Sequence, residues 1–151
     1  MIIISPYSRL LKNGKENPKN FPNWSKVISS LTLRGIEVVQ VGSRGEVRIE
    51  GTSDFRVGLP LNELATLVNQ SQTWASVDNF FPHLCALQST ICGVVVFGPS
   101  DPLIFGYPQF VNLVRREFLR KDQFKPWEDC EFNPDAFVDP GQVIDSIVQL
   151  V

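Results

Sequence analysis

Thr73-Trp74-Ala75-Ser76-Val77-Asp78-Asn79-Phe80-Phe81-Pro82-His83 runs from an apolar stretch through a polar turn into a helix start. Thr73–Val77 reads as a buried strand ending at Asp78, because a short apolar run closed by turn residues suits a strand covered on both faces. Pro82 suits a first helical turn, where a missing N–H costs little, so a helix is expected over Pro82–Leu87. A strand leading straight into a helix belongs to a βαβ unit, and free N–H groups at that helix start would form an anion site beyond the strand end. The competing reading makes Asp78 or Asn79 a helix cap and places Phe80 and Phe81 in the core. His83, the only histidine, reads by itself as a satisfied surface or core residue.

The same alternation extends in both directions. Met1–Ser5 is a β-branched run stopped by Pro6, as expected of a strand inside a parallel sheet. Tyr7–Asn20 is a loop carrying Arg9, Lys12, Lys15 and Lys19 among Asn, Gly and Pro. Pro22 opens an expected helix with Trp24, Val27, Ile28 and Leu31 on one face and Gly35 at its end. Ile36–Val41 reads as a strand, Gly42–Gly45 as a turn and Asp54–Val57 as a further short strand. Leu61, Leu64, Ala65, Leu67 and Val68 have helical spacing. Beyond the quoted stretch, Cys92–Phe97 reads as a strand broken by Gly98-Pro99. Pro102, Gly106 and Pro108 then punctuate a loop, and Pro140 opens a last helix with Val143, Ile144, Ile147, Val148 and Val151 on one face. The fold class is therefore α/β, a Rossmann-like parallel sheet flanked by helices, in one domain over residues 1–151.

Bulk composition agrees with that reading. The 151 residues are 43% hydrophobic and 20% charged, as in an ordinary globular chain. At this length roughly 68–70% of the unfolded surface is buried on folding. A net charge of -2 supplies no basic field, so nucleic acid is not indicated. No apolar run approaches the roughly 18 residues of a membrane span, and Met1–Ser5 is too short for a signal peptide, so a cytoplasmic protein is expected. Cys85, Cys92 and Cys130 are odd in number without C-x-x-C spacing. Free buried thiols are expected rather than disulfides, and one histidine leaves too few soft ligands for a standard zinc site.

In an open parallel sheet, loops that follow strands share the carboxyl edge, so the basic loop, Gly42–Glu46, Asp78–His83 and Gly98–Pro102 are expected to converge on one crevice. Glu46 there would accept hydrogen bonds from the hydroxyls of a ribose. The basic loop is either a solvated charge run or a clamp on a diphosphate.

Three motifs carry a family likeness: Lys19-Asn20-Phe21-Pro22 at the first helix, Gly42 through Glu46 after the second strand, and Ser76 through His83 followed by Gly98-Pro99-Ser100-Asp101-Pro102. In order, spacing and placement they resemble Lys-x-Trp-Pro, Gly-x-x-x-Glu, Ser-x-Asp-Thr-Gly-x-x-His and Gly-Pro-Thr-Asp-Pro of glycosyltransferase family 9, the ADP-heptose:lipopolysaccharide heptosyltransferases. The chain looks like the C-terminal, donor-binding half of such a GT-B enzyme. The resemblance implies a nucleotide-sugar site of Lys19 at the phosphates, Glu46 at the ribose with Gly42 of the same motif, and Leu59 beside the base. Asp78, Asn79 and Phe80 would border the pyrophosphate and sugar, with His83 close behind.

Phe80 departs from the family's glycine at that position. The resemblance also implies a transfer without metal or cofactor, in which the nucleotide sugar is a substrate. It places the acceptor and a general base in an N-terminal half that has no counterpart in these residues. The expected function is a donor-binding domain completed by a partner or a second copy, with a non-catalytic nucleotide-binding module or an interaction domain as alternatives. A homodimer or partner contact is expected at the cleft edge if Phe80, Phe81, Ile104, Phe105 and Tyr107 form an exposed patch; a monomer is expected if they fold inward.

Overall fold

Ile2, Ile3 and Ile4 are all fully buried, as a strand of β-branched residues requires when both faces of its sheet are covered. They form β1 (Ile2–Ser5) at the middle of a six-stranded sheet in a computed structural model that describes residues 1–151. In chain order the other elements are α1 (Trp24–Leu33), β2 (Val38–Gly42), β3 (Asp54–Val57), α2 (Leu61–Asn69), β4 (Thr73–Val77) and α3 (Phe81–Gln88). They continue with β5 (Gly93–Val96), the one-turn α4 (Pro102–Phe105), β6 (Val111–Leu113) and α5 (Pro140–Val148).

The strand order is β3-β2-β1-β4-β5-β6 and every pairing is parallel. The chain builds outward from β1 to β3, then returns to the other side of β1 and builds outward again. The order therefore reverses between β1 and β4, where helices leave toward opposite faces and a crevice opens at the carboxyl ends. Alternation of side chains divides the core. Ile2, Ile4, Ala75 and Val77 pack with α1 and α5, while Ile3, Trp74 and Val95 pack with α2 and α3. No helix is long and apolar enough to cross a membrane.

Several boundaries differ from the sequence expectation. The Ile36 N–H bonds to Leu31 O while Gly35 takes φ 76°, so the residues after α1 close the helix end. Ile36 is thereby withheld from the ladder, and β2 begins at Val38. Pro22 lies in a turn before α1, which starts at Trp24. β6 had no sequence signal, and neither the β2–β3 nor the β5–β6 crossover carries a full helix. The β2–β3 connection is instead pinned by fully buried Gln40, which donates to Val47 O at 2.9 Å and accepts from Ile49 N at 2.8 Å. Val151 lies past α5 and is exposed rather than on its buried face. All three cysteines are free, but only Cys85 is buried; Cys92 and Cys130 are half-buried.

Candidate functional site

The reversal of strand order is held together by one side chain. Asn79 Nδ2 donates to Ser5 Oγ and Tyr7 O, both at 3.0 Å, and Asn79 Oδ1 accepts from Phe81 N at 2.8 Å. The amide thus joins the end of β1 to the end of β4 and satisfies the first N–H of α3. This overturns the expected anion site at that helix. Pro82 has no N–H, and His83 N bonds to Phe80 O at 3.1 Å, so the first turn offers no free donor. Ser8 Oγ donates to Asp78 O, a second tie across the same junction.

On that junction Lys19 Nζ lies 3.5 Å from Asp78 Oδ2, with side-chain exposures of 14% and 8%. Lys19 also lies over the Trp127 ring at 5.2 Å, and Arg120 stacks on the same indole at 3.8 Å. A cation near an indole gains from the ring's quadrupole. Glu128, beside Trp127, holds the basic loop: its carboxylate accepts from Arg9 Nη1 at 2.7 Å, Arg9 Nη2 at 3.1 Å and Lys12 N at 3.2 Å. These donors pull the Glu128 carboxyl down to about 2, Arg9 contributing most. The loop is therefore a fastened wall rather than a freely solvated charge run.

Glu46 stands at the end of β2 after the turn in which its N–H bonds to Ser43 O and Gly45 takes φ 92°. Its carboxylate rests against the Cα of Gly42; a Cβ there would overlap it. Glu46 Oε2 is buried with no hydrogen-bond partner. Burial raises the Glu46 pKa, partly offset by a hydrogen bond from the Ser43 backbone. Tyr7 is also raised, first by burial and then by the charges of Glu46 and Glu16.

Lys19, Gly42, Glu46, Asp78, Asn79, Phe80 and His83 all line one crevice of about 930 Å³ at the carboxyl edge. Leu59 lines a smaller pocket of about 200 Å³ that shares Ser5, Gly42, Ser43, Arg44 and Phe80 with the crevice. The Gly98–Pro102 loop is brought near but does not line the crevice. Gln123 Nε2 donates to Pro99 O at 2.9 Å, its Oε1 accepts from Asp101 N at 2.9 Å, and Arg120 N bonds to Pro99 O. Phe105 and Trp127 occupy that side of the wall instead. His83 Nδ1 is 2.7 Å from Tyr107 Oη. No three His, Cys, Asp or Glu side chains gather as a metal-ligand set.

The aromatic patch expected at this edge divides. Phe81 is core and Phe105 and Tyr107 are half-buried, while Phe80 and Ile104 are exposed together with Leu103 and Phe124, which sequence reasoning had not named. Trp127, Glu128 and Arg44 were also missed. Only Arg44 had a local cue, its place in the Gly42–Glu46 turn.

The chain is similar to a glycosyl transferase family 9 protein from Veillonella parvula, with TM-score 0.72 and 17% identity, covering 99% of this chain and 45% of that one. It shares the fold of a little under half of that protein. E. coli ADP-heptose lps heptosyltransferase II superposes with TM-score 0.67 and 16% identity, over 99% of this chain and 45% of the enzyme. E. coli heptosyltransferase WaaC with ADP gives TM-score 0.61 and 16% identity, over 99% and 44%. The chain thus spans less than half the length of these heptosyltransferase structures. No family model and no curated protein matches the sequence.

Proposed function

We propose that residues 1–151 are the donor-binding half of a metal-independent sugar transferase and that the crevice takes a nucleotide sugar. The observation that carries this reading is the buried, unpartnered Glu46 Oε2 in a wall that also presents Lys15, Lys19 and Arg44. A buried acceptor without a donor is costly, and ribose hydroxyls supply donors of the right kind. The cations lie in the same crevice to balance a diphosphate, and about 930 Å³ lies in the size range of a pocket for a ligand of that class. The leaving diphosphate would be stabilised by these side chains as its charge develops.

Transfer also needs a base for the acceptor hydroxyl. Among the carboxylates lining the crevice, Glu16 accepts from Asn20 at 3.0 Å, Asp78 pairs with Lys19, and Glu46 is committed to the ribose. The base and acceptor site therefore come from outside these residues, from a unit facing the crevice, in a cytoplasmic setting that the free thiols favour. The same shortage of a free carboxylate favours a second reading, a module that binds a nucleotide or nucleotide sugar without turning it over.

Thermal unfolding with ADP, UDP, GDP and their sugar conjugates tests the proposal, since a ligand at 100 times its Kd stabilises by about 2.7 kcal/mol. Stabilisation with consumption of the sugar nucleotide supports a transferase. Stabilisation without consumption, alone or with candidate partners, supports the binding module. No stabilisation by any of them refutes both.

A further inference from the structure

We infer that Trp127 is a positioning residue for the ligand's diphosphate, holding the Lys19 ammonium at the face of its indole while leaving the ammonium's hydrogen-bond donors free; this rests on the nucleotide-binding reading above. Lys19 hangs from a fixed backbone, its N–H donating to Asn17 Oδ1 at 3.0 Å, and its side chain is 14% exposed. Its Nζ stands 3.5 Å from Asp78 Oδ2, beyond the roughly 2.7–2.9 Å of a charge-assisted hydrogen bond. Asp78 therefore balances the charge without engaging one of its N–H groups closely. The Trp127 ring, its centroid 5.2 Å away, attracts the cation through its quadrupole and has no lone pair to occupy an N–H. The ammonium's three donors are left for the oxygens of a diphosphate.

The indole is itself built in. Arg120 stacks on it at 3.8 Å, and the same guanidinium donates to Pro126 O at 3.0 Å and Lys125 O at 2.6 Å, the two carbonyls that precede Trp127. Arg120 N in turn donates to Pro99 O at 2.9 Å, which ties this segment to the loop after β5. The next residue along, Glu128, is fastened to Arg9 and Lys12. Backbone and ring are thus gripped from both sides where Trp127 forms part of the crevice wall. Such support keeps a charged group where a ligand meets it, so that binding does not have to order it.

Two other uses of this aromatic fit less well. With two cations over it, the ring is not a bare platform for stacking a base or a sugar. Nor is it core: Trp24 and Trp74 are 2% and 0% exposed and belong to the two buried clusters, whereas Trp127 is half-buried and belongs to neither.

Calorimetric titration with ADP and UDP, and with adenosine and uridine, tests the role on the wild type, Trp127→Phe, Trp127→Leu, Lys19→Ala and Lys19→Ala/Trp127→Leu. Trp127→Leu should weaken binding of a diphosphate by roughly threefold to tenfold and of the matching nucleoside by less, with Trp127→Phe, which keeps a weaker ring face, in between. In the Lys19→Ala background the same change to Leu should cost less than about twofold, because the indole acts through the ammonium. Equal losses for diphosphate and nucleoside, a loss undiminished without Lys19, or no loss at all overturns the role and leaves the nucleotide reading standing. The Lys19 ε-methylene protons, followed by NMR in the ligand-free chain, give a second measure. The indole's ring current should shift them upfield in the wild type and less in Trp127→Leu; an ordinary lysine shift in the wild type overturns the hold on Lys19 whatever binds. Failure of all four ligands to bind the wild type overturns the nucleotide reading itself and the diphosphate role with it.

Discussion

Lys19 and Asp78 form an ion pair across the junction where the sheet reverses direction, with Nζ and Oδ2 3.5 Å apart and both side chains largely hidden from water. The pair has two uses that mutation can separate. Asp78 keeps a buried carboxylate compensated, and Lys19 keeps a charge available at the crevice wall.

Lys19→Ala is expected to weaken a nucleoside diphosphate more than the matching nucleoside, by roughly 1.5–3 kcal/mol, because the lost contact is charge-assisted and reaches phosphate only. Equal losses for both ligands, measured by calorimetry, would place the phosphates elsewhere. The variant should also be less stable in urea, since Asp78 is left without its cation.

Asn79→Ala removes two donors and one acceptor at a half-buried junction and should cost about 2–3 kcal/mol. For a chain of this size that corresponds to a fall in Tm of roughly 4–12 °C. Asn79→Asp should not rescue it, because its carboxylate would face the oxygens of Ser5 and Tyr7. A calorimetric Tm within a degree of wild type in either variant would contradict the stapling role.

Gly42→Ala and Gly93→Ala should differ in kind. A Cβ on Gly93 would overlap the ring of fully buried Trp74, which cannot move aside, so roughly 1–3 kcal/mol or more of stability is lost. A Cβ on Gly42 meets only the Glu46 carboxylate, which can swing away. Stability should then hold while nucleotide affinity falls. Matched urea melts and titrations separate the two effects.

Glu46 and Glu128 make opposite contributions to pH dependence. Burial raises Glu46, so the native state holds its proton over pH values where the unfolded chain has released it. Its stabilising contribution is full below the ordinary carboxylate value of about 4.3 and is lost as pH rises through the raised value. Glu46→Gln should therefore gain on wild type as the pH climbs from about 4 to about 7. Glu128 is pulled down to about 2, so its contribution is present above the ordinary value and lost as the pH falls toward about 2. Glu128→Gln should lag wild type near neutrality and converge with it in acid. Urea midpoints across this range would show the two slopes.

Leu103→Asp and Phe124→Asp alter side chains that are 82% and 80% exposed, so folding should survive. If a second copy supplies the facing wall of the crevice, light scattering should show a wild-type dimer and monomeric variants. A wild-type monomer at high concentration would rule out a second copy as the source of that wall.

The strands that pair within the sheet centre were legible because burial on both faces imposes an unbroken apolar run, as in Ile2-Ile3-Ile4 and Thr73–Val77. The crevice was legible because parallel strands place their following loops on one edge, which brought Lys19, Glu46 and Asp78 together. β6 was not, since an edge strand of three residues, Val111–Leu113, with a polar centre has too short a period to stand out from a proline-broken loop. Trp127 and Glu128 were hidden for a different reason. Their partners, Lys19 and Arg9, lie at the other end of the chain, and no local pattern encodes that contact. The free N–H groups foreseen at α3 failed because Asn79 serves its own backbone.

The fastening of the basic loop by Glu128 sets an order on biosynthesis. The loop leaves the ribosome well ahead of its latch and of the Trp127 indole that lies against Lys19. A nascent chain can assemble β1, β2 and β4 well before that point, because those pairings need only residues 2–77. The crevice wall would therefore be completed only once Glu128 is made, and a chain stalled ahead of Trp127 should protect its central sheet from proteolysis while failing to retain a nucleotide.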